Sequence, residues 1–544
     1  MSSLNSLLPS RGDYAGLSRT WRVDALAGLT VGVVALPLAL AFGVSSGAGA
    51  EAGIVTAIVA GFVAAIFGGS NVQVSGPTGA MVVVLAPVIA SHGMGALALV
   101  TVMAGVIVMA AGVLRLGSVV GAIPWPVIEG FTAGIAIIIF LQQVPAAVGS
   151  PPVGHETNAA LAALRALGNA TWADAWTTLV IVLAVAAIMV GLRRFGTRVP
   201  ASMLAIVVVT IGAELLGWTV PVIGELPATL PPPVLPEVSW SQLTVLAGPA
   251  LTIAALAGIE SLLSARVASL HSDTGRYDGD RELVGQGLAS IASGLFGGMP
   301  ATGAIARTAV NVKTGARTRL AAVVHAVALL VIVMVGASLV SGIPLAALAG
   351  ILMVTAVTMV PAKSVSTVIR TSRGSAAVFM VTAAVTVAVD LIYAVIVGVL
   401  VAAFFALRSL ARSAGVHRED LPGHPVAGDE RIALFRIDGA LFFAAADRVL
   451  DRVSHIEDVN VVILRMSQVQ LMDSTGAQVL TDLVTSLERR GITVLVKGIR
   501  PQHLELATRV GVLKAVRDPK HIFEDLDSAV AHARDHIARL DAAM

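Results

Sequence analysis

The feature that most constrains this chain is a pair of near-identical turns set far apart in apolar sequence: Phe67-Gly68-Gly69 leading to Pro77-Thr78-Gly79-Ala80, and Phe296-Gly297-Gly298 leading to Ala301-Thr302-Gly303-Ala304. The composition around them is 56% hydrophobic and 13% charged, with a mean hydropathy of +0.87. Soluble domains carry about a quarter charged residues, so all but the C-terminal part of the chain reads as polytopic in a membrane. There, Gly/Pro-interrupted segments at corresponding places in two halves point to broken helices whose N-terminal ends face a buried site. Such ends attract anions through unpaired N–H groups and the helix dipole. The pattern predicts passage of a small anion across a bilayer.

Apolar windows near spanning length fall at about residues 24–45, 51–69, 93–114, 123–144, 174–192, 200–218, 242–264, 282–297, 318–341, 344–360, 374–389 and 391–407. Two further segments, starting near Gly76 and Thr302, run for about 12 to 15 residues, roughly 18–23 Å of a 30 Å core. Each is expected to start at mid-membrane after irregular backbone. The total is fourteen segments, seven per half, and an odd number per half makes the halves inverted with respect to each other. Asn71-Val72-Gln73-Val74-Ser75 alternates polar and apolar residues and predicts a short strand.

Positive charge tests the count, because cytoplasmic loops collect Lys and Arg. With the N-terminus inside, Arg11, Arg19, Arg22, Arg115, Arg193, Arg194, Arg198, Arg276, Arg281, Lys313, Arg317, Arg319, Lys363, Arg370, Arg373, Arg408 and Arg412 fall on the cytoplasmic side. The outer loops receive almost only Arg165, and the Pro-rich stretch from Thr219 to Trp240 has no Lys or Arg. A net charge of +2 is too small to suggest a nucleic-acid partner. The chain has no cysteine, which removes thiolate catalysis and cysteine-held metals. No Gly-rich loop ending in Gly-Lys-Ser/Thr argues for ATP-driven transport, and no nucleophile–base constellation or metal cluster argues for an enzyme.

Ionisable residues within apolar spans cost about 2.5–3.5 kcal/mol each at a helix centre on insertion scales, so each needs a reason. Glu260 lies deep in the eighth segment, with Ser264 one turn further on the same face. Arg307 lies early in the second half-helix. One reading makes Glu260 and Arg307 a structural ion pair between helices. The other has Arg307 supply positive potential to an anion while Glu260 takes up a proton or coordinates a cation.

The run Asp280-Arg281-Glu282-Leu283-Val284-Gly285-Gln286-Gly287, continuing through Gly294-Leu295-Phe296-Gly297-Gly298, Ala301 to Asn311 and Thr314 to Thr318, closely resembles the SulP anion permeases, also called solute carrier family 26. So does Ala35-Leu36-Pro37-Leu38-Ala39-Leu40-Ala41-Phe42-Gly43. The resemblance covers essentially the whole chain. It implies a seven-plus-seven inverted repeat like that of the uracil permeases, with a core domain (segments 1–4 and 8–11), a gate domain (5–7 and 12–14) and a homodimer. It places the anion at Phe42, Thr78, Gly79, Thr302, Gly303, Ala304, Ala306 and Arg307, and the coupling ion at Glu260 and Ser264. Sodium-coupled bicarbonate members carry Asp and Thr where this chain has Glu260 and Ser264. The Glu is similar to proton-coupled bacterial members that carry dicarboxylates such as fumarate, or sulfate.

After Arg412 the character changes. Residues 413–429 have linker composition, with Pro422, Gly423, His424 and Pro425. Strands are predicted at Ile432 to Ile437, Val459 to Leu464 and Ile492 to Val496, and a helix at Gly476 to Arg490 with an apolar face at Val479, Leu480, Leu483, Val484 and Leu487. Asp473-Ser474-Thr475-Gly476 resembles the signature of STAS domains, in which the Ser is phosphorylated; the simpler reading has Ser474 cap the helix. His532 and His536, four apart, read as a solvated helix face rather than a metal site. Glu129 and Asp390 sit near segment ends, where packing, gating or exposure explains them.

The expected organisation is therefore a cytoplasmic segment 1–23, a transmembrane domain 24–412 (halves about 24–218 and 241–412), a linker 413–429 and a STAS domain 430–544. The expected function is secondary active transport of sulfate, bicarbonate or a C4-dicarboxylate in a bacterial inner membrane, with both termini cytoplasmic. The coupling is read as proton symport by an elevator-like mechanism, without a cofactor. Sodium-coupled bicarbonate symport, anion exchange, an anion channel and an anion sensor signalling through the STAS domain are the alternatives.

Overall fold

A computed structural model of the chain describes residues 7–14, 16–118, 123–150, 159–195, 200–225, 229–236, 238–360, 362–389, 391–413, 415–442 and 458–543. It separates into two compact units, Met1–Val399 and Leu400–Met544. Among the described residues, fourteen helices occupy the fourteen predicted windows. In chain order they are α1 Leu17–Ser45, α2 Gly49–Phe67, α3 Gly79–His92, α4 Gly95–Val113, α5 Trp125–Gln142, α6 Trp172–Arg194, α7 Ala201–Leu215, α8 Trp240–His271, α9 Gly279–Leu295, α10 Ile305–Lys313, α11 Leu320–Ser341, α12 Leu345–Met359, α13 Arg373–Ala388 and α14 Leu391–Ser413. Helix α1 packs on α11, α4 on α9, α5 on α13 and α6 on α12. Large apolar side chains such as Val335 and Leu339 stay exposed on the outside of the bundle, as a helix facing hydrocarbon requires.

Both half-helices begin where extended backbone ends. Thr78 precedes α3 and Ala304 precedes α10, each in the β region. Two-residue strands in front of them, β1 (Ser75–Gly76) and β2 (Thr302–Gly303), pair antiparallel, Ser75 with Gly303 and Gly76 with Thr302. The alternating stretch Asn71 to Ser75 joins this ladder only at its last residue. The rest is held by the other half: Ala304 N–H donates to the Val74 carbonyl (2.8 Å), Val74 N–H to Thr308 Oγ1 (3.0 Å) and Asn311 Nδ2 to the Val72 carbonyl (2.8 Å). A chain with polar groups available from α10 does not need a longer ladder to satisfy its backbone. The second half-helix is nine residues long, shorter than its sequence suggests, because Thr314 leads into Gly315 at φ +93°. Two short amphipathic helices, Ala159–Asn169 and Ala362–Thr371, were not expected.

At the Arg-rich end, Asp13 in a short 3-10 turn takes a bidentate pair of hydrogen bonds from Arg281 (2.9 and 2.8 Å) and lies 3.9 Å from Arg319. Burial pushes its carboxyl up, but hydrogen bonds from Arg281 and Ser10 and the charges of Arg281 and Arg319 outweigh this and bring it down to about 2. A depressed carboxylate stabilises the folded state fully above the usual aspartate value and loses that contribution as pH falls toward 2. Asp13→Asn leaves two guanidinium groups underpaired. It is expected to lower the unfolding temperature and to open the N-terminal turn to protease in detergent at neutral pH.

The second unit is a five-stranded sheet in the order β3-β4-β5-β6-β7: Gly415–Glu419, Ile432–Leu441, Val461–Met472, Thr493–Lys497 and Ile522–Phe523. Strand β3 is antiparallel to β4 and the others are parallel. The sheet thus starts inside the stretch read as a linker. Helix α15 (Ser474–Arg489) buries Leu480, Leu483, Val484 and Leu487 on it, as its periodicity requires. Helix α16 (Leu526–Ala543) does not turn His532 and His536 to solvent. His536 Nε2 lies 3.1 Å from Thr493 Oγ1, and the His532 ring stacks near His521 and Phe523. Arg198 and Asp390 lie outside the described residues.

Candidate functional site

Two helix starts and one carboxylate meet at the centre of the transmembrane unit. Thr78 Oγ1 donates to Glu260 Oε2 at 2.7 Å, and Thr302 Oγ1 donates to the same oxygen at 2.8 Å. The two threonines sit at equivalent places in the two repeats, so the repeat read from the sequence is also a spatial convergence. Ser261 follows Glu260 and accepts the Gly303 N–H at 3.0 Å, which ties α8 to the ladder.

Arg307 does not pair with Glu260. It is 2% exposed; Nη2 donates to the Pro77 carbonyl at 3.1 Å, while Nη1 has no hydrogen-bond partner among the described residues. The ion-pair reading is thereby corrected. The Arg instead crosses from the second half-helix to the start of the first, with part of its donor capacity unused. The close approach depends on Gly76, where a Cβ would meet Nη1 at 2.3 Å. Ser264 is fully buried and donates to Thr308 Oγ1 at 3.1 Å, so its hydroxyl braces α10 one turn below the tip.

The remaining predicted positions surround this centre. Gly79 opens α3, where a Cβ would strike Ile139 of α5 at 2.1 Å and meet Phe42 Cε1 at 3.5 Å; Phe42 itself is buried. Ala304 is buried at the α10 N-cap, and Ala306 is exposed on its first turn. Beyond Phe42, a cavity of about 760 Å³ opens among the C-terminal ends of α1, α3 and α5 and the start of α12, lined by Ser45, Ser46, Pro87, Gln142, Gln143 and Leu345 among others, with no charged residue among the described residues that line it. Ser474 is exposed as the first residue of α15, and the cap is Asp473, whose carboxylate accepts the Gly476 N–H at 2.7 Å.

Sequence reasoning missed the supports behind the tips. Glu282, 1% exposed, accepts from Gly69 N–H (2.8 Å), Gln73 Nε2 (2.9 Å) and Gln286 Nε2 (3.0 Å). Segment two contains a π-helical turn, Thr56–Ala60, where the Thr56 hydroxyl takes the Met299 N–H at 2.7 Å. The available signal was a Glu and a Gln four apart on one face of an otherwise apolar helix.

Residues 22–382 match the sulfate permease family and residues 425–529 match the STAS domain. The chain is 35% identical to the putative sulfate transporter YvdB of Bacillus subtilis over 95% of its own length and 98% of that protein. It is 32% identical to the bicarbonate transporter BicA of a Picosynechococcus strain, over 96% of each. The transmembrane domain of a cyanobacterial BicA superposes with a TM-score of 0.65 at 35% identity, covering 69% of this chain and 98% of that one. The murine solute carrier 26 member A9, in an inward-facing state, shares the fold at a TM-score of 0.83 and 18% identity, over 98% and 95% of the two chains. With its paired half-helices, multi-pass bundle and C-terminal α/β sheet, this chain belongs to the sulfate permease (SulP) family of membrane transporters.

Proposed function

We propose that the chain is a proton-coupled symporter of a small anion, either sulfate, bicarbonate or a C4-dicarboxylate such as fumarate. In this reading it lies in a bacterial inner membrane with its Arg-rich end cytoplasmic, and it works as a homodimer. One observation carries the proposal: the segments leading into both half-helices direct a hydroxyl, of Thr78 and of Thr302, at a single oxygen of Glu260.

An ionised Glu260 occupies with its own charge the place where two helix starts favour an anion. Protonation removes that charge and frees the threonines for substrate, beside the Arg307 donor that is already unused, and lets proton and anion enter together. Helices α1–α4 and α8–α11 then carry the site past α5–α7 and α12–α14. The uncharged cavity serves as the outer route, and Ile139 faces the tip from the gate side. On this reading Ser264 sets the position of α10 near the coupling group. Ser474 offers an exposed hydroxyl at a helix start that tolerates phosphate.

Uptake of labelled sulfate, fumarate and bicarbonate into proteoliposomes, with proton and sodium gradients imposed separately, tests the proposal. For one coupled proton, apparent affinity below saturation is expected to rise about tenfold per unit of external acidification. Glu260→Gln is expected to flatten that dependence while anion binding persists. A response to sodium alone replaces the proton with sodium, and conduction without saturation replaces the transporter with a channel.

A further inference from the structure

Behind the tips, on the Arg-rich side, lies a group that the scheme above does not use. His325 of α11 is fully buried, and neither ring nitrogen has a hydrogen-bond partner among the described residues. A polar group left so in an apolar span costs several kcal/mol on an order-of-magnitude scale, and such groups call for a functional account.

Its surroundings supply one. Gly61 of α2 has no side chain between the ring and β1: a Cβ there would lie 3.7 Å from His325 Cε1, 3.8 Å from Nδ1 and 3.3 Å from the Ser75 carbonyl. The next residue of β1, Gly76, abuts Arg307 Nη1. Ser75 Oγ accepts from Gln286, which also donates to Glu282. Gln73 Oε1, Gln286 Oε1 and Arg307 Nη1 are buried without partners among the described residues as well. Unsatisfied donors and acceptors around two glycines supply the two to four polar partners that an internal water needs.

We propose that His325 is a second proton-binding site, reached through internal water at the Ser75 carbonyl and Arg307 Nη1, that receives the symported proton on the cytoplasmic side of Glu260. This rests on the proton-coupled reading. The Glu260 carboxylic acid gives up its proton to become a carboxylate, the imidazole becomes an imidazolium, and the imidazolium passes the proton to cytoplasmic water. The charged groups that face the ring set the order of events. Helix α1 carries Arg19 and Arg22, both exposed, and the buried Asp24, already taken by the Arg317 and Thr318 backbone N–H groups and the Thr20 and Thr318 hydroxyls. Helix α2 offers only Glu51, at its far end. Helix α10 offers Arg307, α9 offers Glu282 through Gln286 and Ser75, and Arg319 caps α11 itself. Beside the Arg307 guanidinium, a second cation is tolerated only while an anion sits in the site. Proton transfer to His325 is therefore tied to anion occupancy, which prevents proton leak through an empty carrier.

The test is uptake of labelled sulfate, fumarate and bicarbonate into proteoliposomes at fixed external pH, with internal pH varied between about 6 and 8. Wild type is expected to slow about tenfold per unit as the interior is acidified, for one proton released there. His325→Gln is expected to vary less than about twofold over the same range while keeping its anion affinity. Gly61→Ala, which fills the water space and leaves the ring in place, is expected to behave likewise and serves if the Gln variant does not fold. A wild type indifferent to both external and internal pH overturns the proton-coupled reading itself. A wild type that couples protons, with either variant retaining the full internal-pH dependence, overturns only the role of His325.

Discussion

Arg307→Met is expected to weaken anion binding by about 30-fold or more, the lower end of the 2–5 kcal/mol seen when one partner of a buried charge pair is truncated. The same change is expected to leave thermal stability in detergent nearly unchanged or raised. The guanidinium does little for the resting fold: one hydrogen bond to the Pro77 carbonyl, and an Nη1 with no partner among the described residues. Replacing a desolvated cation by an apolar chain of similar length removes a burial cost. Equilibrium binding of sulfate and fumarate, measured beside unfolding temperature, separates the two roles. A large loss of stability with unchanged affinity would make Arg307 a structural strut. Arg307→Lys is expected to fall between, since an ammonium keeps the charge but loses the fork that reaches Pro77 and a bound oxyanion together.

Gly53→Val is expected to abolish stable folding. Helices α1 and α2 cross with Gly43 and Gly53 face to face. A Cβ on Gly53 would lie 2.0 Å from the Ala39 carbonyl oxygen and 2.9 Å from Gly43 Cα, and one on Gly43 would lie 2.3 Å from the Gly49 carbonyl oxygen. These are backbone atoms of packed helices, which cannot rotate aside as a flexible side chain can. Overpacking costs about 1–3 kcal/mol and sometimes more where only side chains must move; here the crossing itself must widen, and membrane helices depend on close backbone approach for their association. Gly53→Ala is expected to lower the unfolding temperature measurably and to weaken anion affinity, because Phe42 is next to the crossing. A monodisperse Gly53→Val protein with wild-type melting would show that the two helices separate at little cost.

Much of this architecture was legible because lipid imposes it. A span in hydrocarbon must be long, apolar and hydrogen-bonded within itself, so windows such as 318–341 and 344–360 became Leu320–Ser341 and Leu345–Met359 almost unchanged. The half-helices announced themselves through Gly and Pro. Legibility failed where partners come from distant sequence. Nothing near Gln73 says that its amide meets Glu282, 209 residues away, and nothing near His325 says that Gly61 faces it. Composition misled at residues 415–419, where a polar edge strand resembles a linker because one of its sides is unpaired. At Ser474 the residue type was suitable for a cap, but Asp473, one position earlier, has the backbone angles for it.

The two paired residues of β1 and β2 have a consequence for how this carrier can move. Main-chain hydrogen bonds stitch the first repeat to the second directly beneath the threonines, and Ala304, Thr308 and Asn311 add fasteners from the opposite half. A pocket sewn across its own seam cannot release cargo by parting like a clamshell. On the proposed reading it travels whole, as a sealed capsule sliding past a stationary wall, and any variant that unpicks the stitching is expected to yield a membrane protein that still holds together but no longer delivers.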